Sequence, residues 1–182
     1  MEAHEITELV RLLDKMAWSP NNNVPPEAFF AICRTTVLPC VDLALIRVRS
    51  GSCEVMLTKR PSHDPFFANL WHIPGGVVVP GATALTTIRE RVMRPDFGTL
   101  LIREPTFVME RDILKGPPDR EHSPRGQEVY RLFQYVLEPS EAEPSENDMR
   151  KFFPLDAVPD ELIAHQVPNI EKLCEVHRVA RL

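Results

Sequence analysis

Apolar residues recur along the chain with two different periods. In residues 5–16 they fall at Ile6, Leu9, Val10, Leu13 and Met16, the spacing that lines one stripe of an amphipathic helix. Ser19-Pro20 and a run of asparagines end that pattern. Pro26-Glu27-Ala28-Phe29 opens a second short helix, because a proline in the first turn gives up an N–H that would be unpaired there anyway. Residues 41–46 and 54–58 are short apolar runs separated by Arg49-Ser50-Gly51-Ser52, which predicts a β-hairpin.

Helical spacing returns over about residues 83–93, with Ala84, Ile88 and Val92 on one stripe. Residues 99–102, 105–111 and 128–137 predict further strands, the last alternating through Val129, Arg131, Phe133, Tyr135 and Leu137. The tail over residues 159–178 is predicted helical, broken near Pro168. Strands and helices that follow one another without regular alternation predict a mixed sheet with helices packed on its faces.

With 182 residues, 43% hydrophobic and 26% charged, the chain has the make-up of a folded protein with one full core. Residues 1–24 are read as a helical N-terminal extension and 25–182 as the domain. No apolar run approaches the roughly 20 residues of a membrane span, and the first residues carry acids where a secretory signal carries a basic head. A cytoplasmic protein without a membrane partner is therefore expected. The net charge of -5 argues against a nucleic-acid partner, which relies on a surface excess of Lys and Arg. Cys33, Cys40, Cys53 and Cys174 contain no CxxC pair, so neither a zinc site nor a disulfide framework is suggested. Eighteen prolines cluster in loops, and residues 115–124 and 138–144 are expected to be mobile surface segments.

Lys59-Arg60-Pro61, followed after eight residues by Leu70-Trp71-His72-Ile73-Pro74-Gly75-Gly76, resembles the approach to the Nudix box. Upstream, Pro26-Glu27-Ala28-Phe29 through Val41-Asp42-Leu43 resembles the start of GDP-mannose mannosyl hydrolases. Downstream, Phe152-Phe153-Pro154-Leu155-Asp156-Ala157-Val158-Pro159 resembles the usual Nudix ending. The resemblance covers about residues 25–175. It implies an α/β/α sandwich around a mixed sheet and hydrolysis of nucleoside diphosphate derivatives, assisted by Mg²⁺. Arg60 matches an arginine that contacts substrate phosphate, Asp42 an acid near it, and Asn147 falls where the relatives carry a catalytic histidine.

The family pattern G-x5-E-x7-R-E-U-x-E-E-x-G-U brings glutamates three and four apart onto one helix face, where they hold a hard cation. Laid on this chain from Gly76 without a gap, it puts Ala82 at the first glutamate, Glu90-Arg91 at the R-E pair in reversed order, Val92 at the apolar position and Arg94-Pro95 at the paired glutamates. A one-residue deletion would align Arg89-Glu90 with the R-E pair but put Arg91 on the apolar position. Glu90 and Asp96 are the remaining candidates for catalytic carboxylates, and Gly76 with Asp96 for a metal. An exposed loop acid is the plainer reading of Asp96, and an ion-pair partner that of Glu90. Pro95 predicts that the helix ends at about Arg94.

Two functions stay open. One is a divergent hydrolase of a nucleoside diphosphate sugar with a weakened Mg²⁺ site. The other is a noncatalytic module that binds a small phosphorylated ligand or a protein partner through Arg60 and the basic face of residues 89–94, Arg91 included. Trp71, Phe66 and Phe67 are candidates to stack on a base, with core packing as the default. His72, His122 and His165 are candidate replacements for the missing histidine. A homodimer through the N-terminal helix is a further expectation.

Overall fold

The computed structural model describes residues 2–15, 25–97 and 103–179. The two N-terminal helices are α1 (Ala3–Lys15) and α2 (Pro26–Thr35), the latter with proline at its start as expected. The hairpin is β1 (Leu38–Arg49) and β2 (Ser52–Lys59). Its turn residues Ser50 and Gly51 have φ of 50° and 79°, the left-handed pair that a two-residue hairpin turn requires. Two short strands that the sequence pattern does not signal follow, β3 (Trp71–His72) and β4 (Gly75–Val77).

Helix α3 (Ala84–Thr87) starts behind an N-cap at Thr83, whose side chain accepts from the Thr86 amide, and winds on as a wider π-helix over Ile88–Phe97. The helix therefore passes Pro95 instead of stopping at Arg94, because the wider winding does not set the carbonyl four residues back beneath the proline ring. The strand expected at residues 99–102 lies outside the described residues. Next come β5 (Thr106–Lys115), β6 (His122–Ser123), β7 (Glu128–Val136) and β8 (Arg150–Pro154). A 3₁₀ turn (Ala164–Gln166) leads into α4 (Val167–Val179). Pro168 thus sits in the first turn of α4 and begins the helix; it does not break one.

The sheet runs β3-β2-β1-β7-β5-β6, with β4 also paired to β1 and β8 to β2. β1 is its centre. It lies parallel to β7 from Leu38↔Glu128 to Ile46↔Val136. On its other edge it changes partner half-way, pairing Cys40 to Asp42 with β4 and Ile46 to Arg49 with β2. Successive side chains of a strand point to opposite faces, and both faces of β1 are covered, which is why it reads as a continuous apolar run. Cys40, Ala44 and Ile46 join one core with Tyr130, Leu132, Cys33 of α2 and Ile170 and Leu173 of α4. Val41, Leu43 and Leu45 join another with Ile88, Val92 and Met93. The α/β/α sandwich expected from the sequence is the one observed, with α3 on one face and α2 and α4 on the other.

Among the described residues no helix is long and apolar enough to cross a membrane. The stretch expected to be mobile after residue 138 is tied down. Arg47 binds Glu143 and Glu146 at 2.7 and 3.1 Å and lies over the Phe152 ring, while Arg103 binds Glu141 at 2.9 Å. In the other such stretch, β6 pairs with β5 and buries Ser123.

Candidate functional site

On the α4 face, at the start of β1, the sheet leaves a cavity of about 70 Å³. Each wall comes from a different part of the chain. β1 supplies Asp42, β4 supplies Gly75 and Gly76, β7 supplies Glu128 and Tyr130, and the turn before α4 supplies His165 and Gln166. Arg60 enters from the loop after β2 and Arg125 from the loop before β7.

Asp42 is 6% exposed and accepts from the Tyr130 hydroxyl at 2.5 Å and from Gln166 Nε2 at 2.6 Å. Gln166 Oε1 accepts from the Ile73 amide at 2.6 Å, which fixes the amide orientation. Burial pushes the Asp42 carboxyl up to about 7 and raises the Tyr130 hydroxyl well above its ordinary value, since a charged group loses its hydration there.

Gly75 is opposite Asp42 in the β1–β4 register, and the carboxylate fills the space that a side chain at 75 would need. Gly76, one residue on, faces the other side of the sheet. A Cβ there would lie 3.6 Å from the Thr87 methyl of α3. The Pro74-Gly75-Gly76 turn therefore stands between the cavity and the helix, one glycine toward each.

Arg125 binds the buried Glu128 at 2.7 Å. Its loop passes so close to α2 that a Cβ on Gly126 would come within 2.2 Å of the Cys33 carbonyl oxygen. Arg60 Nε donates to Asp64 at 2.8 Å, and the other oxygen of Asp64 accepts from the Phe66 and Phe67 amides at 3.0 and 2.9 Å. One carboxylate so holds both the arginine and the two aromatic residues.

The two cavity histidines are neutral. His72 Nδ1 donates to the Ile73 carbonyl at 2.9 Å, leaving Nε2 to accept from the Thr58 hydroxyl at 3.0 Å. Burial lowers His72 to about 3 and His165 to about 4. His122 pairs instead with Asp119 at 2.8 Å and does not itself line the cavity.

Of the residues proposed from sequence, the structure gathers Asp42, Arg60, Phe67, His72, Gly76 and His165 at the cavity and places Trp71, Glu90, Arg89 and Asn147 elsewhere. Trp71 is 7% exposed and packs edge-on against Phe153 at 5.0 Å. Its ring belongs to the core, because β3 turns it inward beneath α4. Glu90 is exposed on α3, which packs on the opposite face of the sheet. Arg89 reaches Glu104 at 3.4 Å, so the expected single surface of Arg60 with the helix arginines is not formed through it. The side chains of Arg91, Arg94 and Asp96 lie outside those described. Asn147 is exposed, its Oδ1 accepting from the Met149 amide.

The described residues supply no cluster of metal-ligating side chains. Among them no three Asp, Glu, His or Cys side chains converge. The described helix positions that are buried against the sheet are Thr87, Ile88, Val92 and Met93, none of them ionisable.

No protein-family model matches the chain, and no curated protein matches it in sequence. Solved structures do match in shape. A mutT/nudix family protein from Listeria innocua superposes with a TM-score of 0.63 at 19% identity, over 81% of this chain and 98% of that one. The chain has the Nudix fold. The Nudix domain of Shewanella oneidensis NrtR, solved with ADP-ribose, gives 0.58 at 20% identity over 97% and 99%. A Caenorhabditis elegans Ap4A hydrolase gives 0.51 at 15% over 81% and 100%.

In this Nudix-fold chain, sequence reasoning missed Arg125, Glu128, Tyr130 and Gln166. Tyr130 and Glu128 sit in a strand whose alternation the sequence shows, and Gln166 directly precedes a helix. Only their convergence on Asp42, an acid inside an apolar strand, marks them.

Proposed function

We propose that this Nudix-fold chain binds a phosphorylated nucleoside derivative at the cavity bordered by Asp42, Arg60 and Arg125, and that Mg²⁺-dependent hydrolysis is weak or lost. The observation that carries this reading is the placement of two guanidiniums at one cavity of the α4 face, while among the described side chains of the helix only Thr87 and apolar residues turn toward the sheet. Guanidinium groups recognise phosphate oxygens through paired hydrogen bonds. Loss of helix carboxylates removes the cation that would stabilise the developing charge, and such electrostatic stabilisation is usually the largest contribution to catalysis. The neighbouring fold solved with ADP-ribose suggests the first compounds to try, with GDP-mannose added for the sequence resemblance near Arg60.

A thermal-shift panel of ADP-ribose, ADP-glucose and GDP-mannose, with and without Mg²⁺, tests the reading. Stabilisation that does not need metal and that Arg60→Gln removes supports it. Rapid Mg²⁺-dependent release of phosphate or sugar would sink it.

A second reading, a hydrolase with a rebuilt site, rests on Asp42. A carboxyl that titrates near pH 7 inside a cavity suits general acid–base work. Turnover that persists in Glu90→Gln but is abolished in Asp42→Asn would favour it.

A further inference from the structure

The cavity beside Asp42 shares a wall with a larger one. Arg60, Phe67 and Arg125 border both. The second cavity, about 280 Å³, is otherwise lined mainly by Phe29 and Phe30 of α2 and by Phe66. Phe30 packs edge-on against Phe66 at 5.2 Å, Phe66 meets Phe67 at 6.2 Å, and Phe67 meets His165 at 5.5 Å. A row of rings thus leads from one cavity to the other, and Phe29, Phe30 and Phe66 are only half-buried.

Size and chemistry divide the two spaces. Sites for small organic ligands run to roughly 300–1,000 Å³, and a water molecule takes about 30 Å³. The 70 Å³ cavity holds one small polar group, and the 280 Å³ cavity falls just short of a ligand site; joined across their shared wall they reach that range. Asp42, Tyr130 and Gln166 line the small space, and phenylalanines with Pro65 and the arginine-paired Asp64 line the large one. Two guanidiniums stand at the boundary, each paired with one carboxylate, Arg60 with Asp64 and Arg125 with Glu128. Among the described residues, Arg60 and Arg125 hold their carboxylate partners through Nε and Nη2 only, so Nη1 of each keeps its donors for an anion.

We infer that the two cavities are one ligand site, in which a planar nucleobase lies in the phenylalanine chamber, phosphate lies against Arg60 and Arg125, and the remaining hydroxyl-bearing part points toward Asp42 and Gln166. This rests on the reading that the chain binds a phosphorylated nucleoside derivative, and adds where each part of that ligand sits. The orientation follows from volume, since a base does not fit the small cavity. Stacking on aromatic rings tolerates any base because every base has a π face, so ADP serves as the probe.

Isothermal titration in metal-free buffer compares ADP with inorganic pyrophosphate for the unmodified protein and for Phe30→Leu, Phe66→Ala and Arg60→Gln, each checked for an unchanged thermal melt. ADP should bind on the order of tenfold to a hundredfold more tightly than pyrophosphate. Phe66→Ala should abolish most of that advantage, and Phe30→Leu, which keeps the apolar filling but not the ring, should reduce it, both with pyrophosphate affinity unchanged. Arg60→Gln should weaken both ligands. If ADP has no advantage, or keeps it in both phenylalanine variants, the base position is wrong while phosphate binding stands. If neither ligand binds the unmodified protein, phosphate binding fails, and this inference with it.

Discussion

Asp42 and Gly75 oppose one another across the β1–β4 pair, and Asp42 Oδ1 lies 1.6 Å from the point that a Cβ on residue 75 would occupy. The glycine is there for its missing side chain. The Val41 carbonyl oxygen stands only 2.6 Å from the same point, so a side chain meets backbone as well as the carboxylate. Gly75→Ala is expected to cost about 1–3 kcal/mol, the usual range for overpacking, and to push Asp42 off Tyr130 and Gln166. Denaturant melts read the first effect. A midpoint equal to that of the parent would mean that the β1–β4 contact is looser than the structure has it.

The same carboxyl makes a pH prediction. Its folded pKa of about 7 stands above the ordinary 3.8 because burial penalises the charge. Between those values the folded state holds a proton that the unfolded state has released. The stabilisation is thus complete below about pH 4 and is lost as pH rises through about 7. Asp42→Asn can still accept from Tyr130 and Gln166 through its carbonyl oxygen, so it should gain stability relative to the parent on going from pH 5 to pH 8. An unchanged difference between the two proteins across that range would count against a raised Asp42.

His72 and His165 act in the opposite sense. Their folded pKa values, about 3 and about 4, lie below the ordinary 6.5, so their contribution is full above pH 6.5 and falls away as acid protonates the unfolded chain and then the buried rings. A melting temperature that drops between pH 6.5 and pH 4 is expected, with a shallower slope in His72→Gln. Direct titration of the two rings by NMR provides an independent check, since a pKa near 6.5 for either removes the basis for the slope.

Arg125 and Glu128 form a pair whose acid is fully buried. Glu128→Leu leaves a guanidinium with no counter-charge and should cost about 3 kcal/mol, toward the low end for buried pairs because Arg125 keeps some access to water. Adding Arg125→Met should recover most of the loss while weakening phosphate binding. A double-mutant cycle measures the coupling, and simple additivity would contradict the pairing.

The opposite faces of the sheet give a negative control. Glu90 and Arg89 are exposed on α3 and their replacement by alanine should change stability by no more than about 0.5 kcal/mol, and should leave ADP-ribose binding as it was. Arg60→Gln should not. Equal weakening by Arg89→Ala and Arg60→Gln would restore the helix to the binding surface.

Much of the fold was legible in the order of residues. The stripe Ala84, Ile88 and Val92, the hairpin turn at Ser50-Gly51 and the alternation of β7 are local periodicities, and local backbone geometry alone turns them into a helix, a turn and a strand. That Ala82, Arg91, Arg94 and Pro95 stand where an ungapped alignment to the resembled pattern would put glutamates is likewise read from sequence alone. Strands of two or three residues such as β3 and β4 left no trace, because so short a run has no period to detect and exists only through its partners β2 and β1. The site was decided at the tertiary level. β1 crosses the middle of the sheet, so Asp42 and Val41, adjacent in the chain, face different helices, and the arginine that joins Arg60 at the cavity is Arg125 and not Arg89. Residues 42, 60, 125 and 166 come together because the three connections that carry Arg60, Arg125 and Gln166 converge on the start of β1, where Asp42 sits, and no spacing in a linear sequence encodes that convergence.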